Sequence, residues 1–262
     1  MQPDRRGDDS NRRLRINFQK TKTAHTTLAA RDNMPRVSPI LHRNSQKRIY
    51  VEGATYFITS VTYQRYAYFN EPILADLFVY DLWFGKALKE FELFGYSVLA
   101  DHVHLLIQPL GKANYSDIVG TLKRNVSRDI NHLVKDKPFI RNTPFKSFEG
   151  DDSNRLLHEN FQLTRQKHPH LTFEDYRKHF DSLEQLRFKY AKSASKDVDQ
   201  PPFRWQKSFR DHIIRNDRDF ENHLDYIYNN AVKHGLVEKP EQWPWMWVYG
   251  MPPPPFIDQS NI

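Results

Sequence analysis

The run His102-Val103-His104-Leu105-Leu106-Ile107 constrains this chain more than any other segment. Side chains along a β-strand alternate between its two faces, so two histidines flanking one bulky apolar residue share a face. Paired imidazoles on one strand face are an arrangement suited to gripping a metal ion. Far downstream, Tyr226 and Asn230 lie four apart in a strongly helical stretch and so share a helix face. A metal pair combined with a helix-borne tyrosine suggests a nucleophile directed at a phosphodiester. A second His-x-His match, His168-Pro169-His170, has a central proline in a polar stretch. An inner strand would not tolerate that proline, so it reads as a loop.

Composition narrows the class. At 262 residues with 39% hydrophobic content and 18 Phe, the chain suits one large domain with additions. Zero cysteines exclude disulfides, thiolate zinc sites and cysteine nucleophiles together. No run approaches the roughly 18 to 20 apolar residues of a membrane span. The opening MQPDRRGDD lacks the apolar core of a secretory signal, and a cytoplasmic location is the expectation. Charge is uneven: residues 1–48 hold 12 Lys/Arg against 4 Asp/Glu, while the remainder is close to neutral. Such an arm, 1–47, binds a nucleic-acid backbone by counterion release or is a solvated disordered tail; composition alone leaves both open.

The pattern along the chain predicts an α+β fold. Thr55–Tyr63 is rich in β-branched and aromatic residues and reads as a strand. A helix is predicted from Pro72 to about Phe94, with Gly95 as its C-cap. Tyr96–Leu99 and Val103–Ile107 read as strands around a tight turn at Ala100-Asp101. Ser116 is read as the cap of a second helix, Asp117 to about Val134. Residues 136–200 are polar and proline-interrupted, and read as an insertion with one or two helices. The apolar stripe Phe173, Tyr176, Phe180, Leu183, Leu186 and Tyr190 is expected to pack on the body. Phe203–Arg215 is another strand candidate. Asn216 and Asp219 form a capping pair for a final helix ended by Gly235, with His223, Tyr226, Asn230 and Lys233 as its polar stripe. The tail 249–262 is proline-rich. Without the insertion, the core at 48–135 and 201–248 follows the order β-α-β-β-α-β plus a terminal helix, the ferredoxin-like split βαβ plan.

Two blocks carry a family resemblance: Trp205-Gln206-Lys207-Ser208-Phe209-Arg210-Asp211-His212-Ile213-Ile214-Arg215-Asn216-Asp217, and Leu224-Asp225-Tyr226-Ile227-Tyr228-Asn229-Asn230-Ala231-Val232-Lys233-His234-Gly235-Leu236-Val237 followed by Trp243-Pro244-Trp245. With Tyr56-Phe57-Ile58-Thr59 and Asp101-His102-Val103-His104-Leu105-Leu106 upstream, the chain resembles the REP-associated tyrosine transposases of the single-tyrosine HUH superfamily. The resemblance implies cutting and rejoining of single-stranded DNA beside hairpins, through a 5′-phosphotyrosine link that leaves a free 3′-hydroxyl. It implies Tyr226 as nucleophile, and His102, His104 and Asn230 as ligands of Mg²⁺ or Mn²⁺. Family members work as dimers or monomers, so a homodimer stays open.

Lys123, Arg124, Lys233 and Arg215 are candidate phosphate contacts, and Trp205 a platform for an unpaired base. The chain departs from the family at Ala231, where relatives commonly have proline, and at Met246-Trp247, where they tend to have two serines. Two other readings remain: a sheet that binds single-stranded nucleic acid without cutting it, and a replication-initiator or relaxase nuclease with the same chemistry.

Overall fold

The structure is a computed structural model and describes residues 48–135, 151–192 and 200–254. The basic arm 1–47, parts of the expected insertion (136–150 and 193–199) and the tail from 255 lie outside the described residues.

Five strands form one sheet in the order β4-β1-β3-β2-β5, with every neighbouring pair antiparallel. They are β1 (Tyr56–Val61), β2 (Phe91–Leu99), β3 (His102–Pro109), β4 (Arg210–Ile213) and β5 (Met246–Val248). The helices are α1 (Pro72–Lys89), α2 (Tyr115–Val134), α3 (Asp151–Lys167), α4 (Phe173–Lys192), α5 (Asp217–Tyr228) and a single turn, α6 (Asn230–Lys233). With α3 and α4 set aside, the order is β-α-β-β-α-β, and β3 inserts between β1 and β2. That is the expected α+β split βαβ plan, extended by β5 at one edge.

Alternation along the strands gives the sheet two apolar faces. Tyr56, Ile58, Val98, Val103, Leu105 and Ile107 enter a core shared with α1 and α2. Leu106 and Phe94, on the opposite face, meet Phe220, Leu224 and Ile227 of α5. In α4, Leu183, Leu186 and Tyr190 join the first core, so this stripe packs on the body.

Four local expectations are corrected. First, α1 stops at Lys89, and Glu90 takes a left-handed conformation (φ 51°) as its cap. Phe91 to Phe94 therefore belong to β2, and Gly95 follows a register shift inside that strand. The glycine is demanded by close approach: a Cβ there would lie 3.2 Å from the Trp247 carbonyl oxygen and 3.3 Å from Leu224 and Val248. Second, the cap of α2 is Asn114, whose side chain accepts from the Asp117 amide, not Ser116. Third, only Arg210–Ile213 of the 203–215 strand candidate pairs regularly. The stretch before it buries Phe203 against Tyr68, Phe69 and Trp205, and its backbone is held by Asn131 and Lys123. Fourth, the final helix breaks at Asn229, whose side-chain amide donates to the Asp225 carbonyl.

The family departure at 246–247 has a structural consequence, because Met246, Trp247 and Val248 are all buried as β5. Gly95→Ala is expected to destabilise the protein by about 1–3 kcal/mol, since a backbone carbonyl cannot retreat as a side chain can. Urea unfolding followed by circular dichroism checks it, with a lower midpoint and an unchanged slope expected.

Candidate active site

β3 and α5 together build the site. On β3, Val103 turns into the α1/α2 core while His102 and His104 share the face that α5 covers. Phe220, Leu224 and Ile227 fasten α5 to that face. Tyr226, one residue before Ile227, thus lies over the histidine strand. Its hydroxyl is 3.5 Å from His104 Nε2, and its ring stands edge-on to the imidazole at 5.0 Å.

Each histidine is oriented through its Nδ1. His102 Nδ1 donates to Asp101 Oδ1 at 2.6 Å, and His104 Nδ1 meets Thr59 Oγ1 at 2.9 Å across the β1–β3 pair. With Nδ1 protonated in both rings, each Nε2 keeps its lone pair. Outer partners of this kind fix the tautomer and aim of metal-binding histidines. Burial, followed by neighbouring His102, His234 and His223, pushes the His104 pKa down to about 3. The ring is thus neutral at any physiological pH, as metal ligation requires. At Asp101, burial opposes ionisation, but hydrogen bonds from His102 and Arg65 outweigh it and hold the carboxyl below its ordinary value.

Asn230 supplies the telling detail. It is fully buried, and neither its amide oxygen nor its amide nitrogen has a hydrogen-bond partner. Such an orphaned amide costs about 1–3 kcal/mol unless something satisfies it. The turn that carries it is bracketed by contacts to the histidine strand, with Tyr226 on His104 and His234 5.7 Å from His102. Two Nε2 lone pairs, that of His104 facing the Tyr226 hydroxyl, and an unsatisfied amide oxygen are a donor set that suits a divalent cation with mixed N/O ligands.

The other candidates are dispersed. Lys233 places Nζ 4.8 Å from the centre of the Tyr226 ring. Arg215 is exposed beside Asp219 at the start of α5. Trp205 is packed against Phe69, Phe78 and Phe203 at the end of the first core. Lys123 donates to the Gln206 and Ser208 carbonyls; burial and nearby Arg48 lower its pKa to about 8. Arg124 is exposed and bonds to Thr121. His168 and His170 do lie in a loop, between α3 and α4.

Several residues of the site escaped sequence reasoning. Asp101 was absorbed into the turn, although its position directly before the histidine strand was a usable signal. Thr59 becomes visible only once β1 and β3 are in register. Phe57 stacks on His104 at 5.2 Å and touches His223 and Tyr226. Beyond it, His212, Asp219 and His223 form a half-buried cluster on the same side.

These observations define a single-tyrosine site opposed to a histidine pair. Residues 50–147 match the family described as transposase IS200 like. A putative REP-associated tyrosine transposase of Haemophilus influenzae is 29% identical over 209 residues, covering 77% of this chain and 84% of its own. A REP-associated tyrosine transposase of Escherichia coli is 51% identical over 41 residues, 16% of this chain and 25% of its own. Among solved structures, a REP-associated tyrosine transposase bound to a REP hairpin aligns with a TM-score of 0.43 and 19% identity, covering 78% and 82% of the two chains. The chain is thus similar in sequence to REP-associated tyrosine transposases, as the sequence resemblance implied.

Asn230→Leu should leave the metal-free protein as stable as the parent or more stable, by about 1–3 kcal/mol, because it removes a buried unpaired amide of similar size. The same change should abolish cation-dependent activity; thermal denaturation and a cleavage assay read the two effects. A second expectation concerns pH. His104 has an ordinary value of 6.5 when unfolded and about 3 when folded, so the unfolded chain takes up the proton first as pH falls. Its contribution is complete above pH 6.5 and is lost progressively down to about 3. In metal-free protein, the fall in stability over that window should be shallower for His104→Asn.

Proposed function

We propose that this protein cleaves and rejoins single-stranded DNA beside hairpins, through a covalent tyrosine intermediate, in a DNA transposition reaction. The observation that carries this reading is Tyr226, held against His104 and next to an Asn230 whose buried amide is unsatisfied. The hairpin preference is taken from the family resemblance and from the curated REP-associated tyrosine transposases that the chain matches.

The chemistry assigned to each residue is taken from the family resemblance, and the geometry of the site supports it. The Tyr226 oxygen attacks the scissile phosphorus; the bond to the 3′-oxygen breaks, and that oxygen leaves with a proton as a 3′-hydroxyl. The 5′-phosphate remains on tyrosine, so bond energy is conserved for rejoining and no nucleotide need be hydrolysed. His102, His104 and Asn230 would hold a divalent cation. When bound, that ion would polarise the phosphate and offset charge gathered on its oxygens. Neutral ligands leave the ion its full positive charge, and the nitrogen pair suits Mn²⁺ more than Mg²⁺.

Lys233 holds its ammonium over the tyrosine ring, beside the position a scissile phosphate would take. With His104 Nε2 engaged as a ligand, the phenolic proton leaves to solvent, which reaches the half-buried ring. Phe57 and Thr59 hold the His104 imidazole in place, and Asp101 does the same for His102. Exposed Arg124 and Arg215 are the proposed backbone contacts.

Incubation with single-stranded hairpin oligonucleotides and Mg²⁺ or Mn²⁺ tests the proposal on a denaturing gel. A cation-dependent covalent protein–DNA band is expected, lost below detection in Tyr226→Phe and in His104→Ala. Tight DNA binding with no adduct under any cation would instead make the protein a binding module.

A further inference from the structure

A second cluster lies on the other side of the molecule, in the buried junction of three helices. Asp81 of α1, Asp129 of α2 and His179 of α4 bring one ligand atom each within 4.8 Å of one another. Asp81 is fully buried, and both its carboxylate oxygens lack a hydrogen-bond partner. His179 Nε2 approaches to 3.5 Å from Oδ1. His179 Nδ1 is likewise buried and unpaired, while stacking on Phe84 at 3.9 Å, almost parallel, fixes the ring plane.

Nothing in the DNA chemistry uses these residues. We propose that Asp81, Asp129 and His179 form a structural divalent-cation site, of the Zn²⁺ or Mn²⁺ class, that fastens α4 to the catalytic body.

The physical case rests on charge and on lone pairs. Arg128 pairs with Asp129 through Nε and Nη2, which matches one carboxylate with one guanidinium. A carboxylate accepts at about four lone-pair positions, so Asp129 keeps positions open for a cation. Asp81 then stands as a second buried carboxylate whose oxygens are both unpaired, with the one nearby guanidinium, that of Arg128, already bonded to Asp129. Buried charges are paired or coordinate metals. Burial, and after it Arg128, hold His179 neutral, with a pKa near 3, so its ring can ligate without first losing a proton. One imidazole and two carboxylates are a donor set that Zn²⁺ and Mn²⁺ accept, whereas Mg²⁺ prefers oxygen alone.

Access is available as well. His179 borders two clefts, one lined by Tyr80, Lys86 and Asp175, the other by Arg124, Arg128 and Tyr176. The consequence for the fold is direct, because α4 joins the core through Leu183, Leu186 and Tyr190, and an ion at His179 would add a link from α4 to both α1 and α2.

The test uses full-length protein carrying His102→Ala and His104→Ala, so that the catalytic histidines contribute no ligand. Isothermal titration with Zn²⁺ and with Mn²⁺ should show one ion per chain, and the melting temperature should rise with ion concentration. Adding Asp81→Asn, which copies the shape of the protonated carboxyl, should raise the dissociation constant at least about tenfold; an outer partner's loss already costs 10- to 100-fold. Broadening of the His179 ring resonances by Mn²⁺, in protein with the cluster intact, covers the case where that variant folds poorly. Absence of a stoichiometric ion would overturn the proposal and leave Asp81 and Asp129 as a proton-sharing pair. Binding unaffected by Asp81→Asn, with His179 unbroadened, would also overturn it and move the ion to His212, Asp219 and His223.

Discussion

The apolar seam between α5 and the sheet is what the rest of the site depends on. Phe220, Leu224 and Ile227 meet Phe94 and Leu106 across it, closed at one edge by Met246 and Val248. A helix turns about 100° per residue, so its buried stripe fixes where every other side chain points. With Ile227 and Leu224 inward, Tyr226 must lie at the flank, above His104, and His223 falls over Phe57. Gly95 permits that approach, because any side chain there would collide with Leu224 and β5. The nucleophile is thus placed by packing, and its hydroxyl contact at 3.5 Å is a result of that placement rather than its cause.

Polar groups at the site are arranged against the ordinary preferences of a protein interior. An amide buried without partners, and an imidazole held neutral by burial and by three neighbouring histidines, both work against stability. Local rules are broken where function compensates for them. The same sign appears at the Asp81–Asp129–His179 junction, where buried oxygens and a ring nitrogen are again unpaired. Two clusters with unpaired buried polar atoms, one over the sheet and one among the helices, thus share the donor chemistry that a cation would satisfy.

Much of this was legible in the chain. Strand alternation at His102–Ile107 and the helical stripe around Tyr226 are strong periodic signals, and both elements appear where expected. The split βαβ order followed from element sequence alone. The α1–β2 boundary failed for a definite reason: Leu88, Phe91 and Phe94 continue a three-residue apolar spacing that helix and buried strand share. Only the tertiary contact of Gly95 with β5 distinguishes the two. The stretch at 203–209 misled because its aromatics have strand composition, yet they serve as core plugs held by side chains of α2. Thr59, Phe57 and the buried state of Asn230 depend on register and docking, which no local window contains. The departure at Ala231 proved compatible with the fold, the residue being buried in the α6 turn.

The claim that Tyr226 is the attacking group admits a direct measurement. The protein is reacted with a hairpin oligonucleotide in Mn²⁺, digested with protease and nuclease, and the peptide bearing nucleotide is sequenced by mass spectrometry. The expected result is a single modified peptide with a 5′-linked nucleotide phosphate on Tyr226. Modification at Tyr63 or Tyr228, or cleavage of the oligonucleotide with no tyrosine modified, would contradict the account.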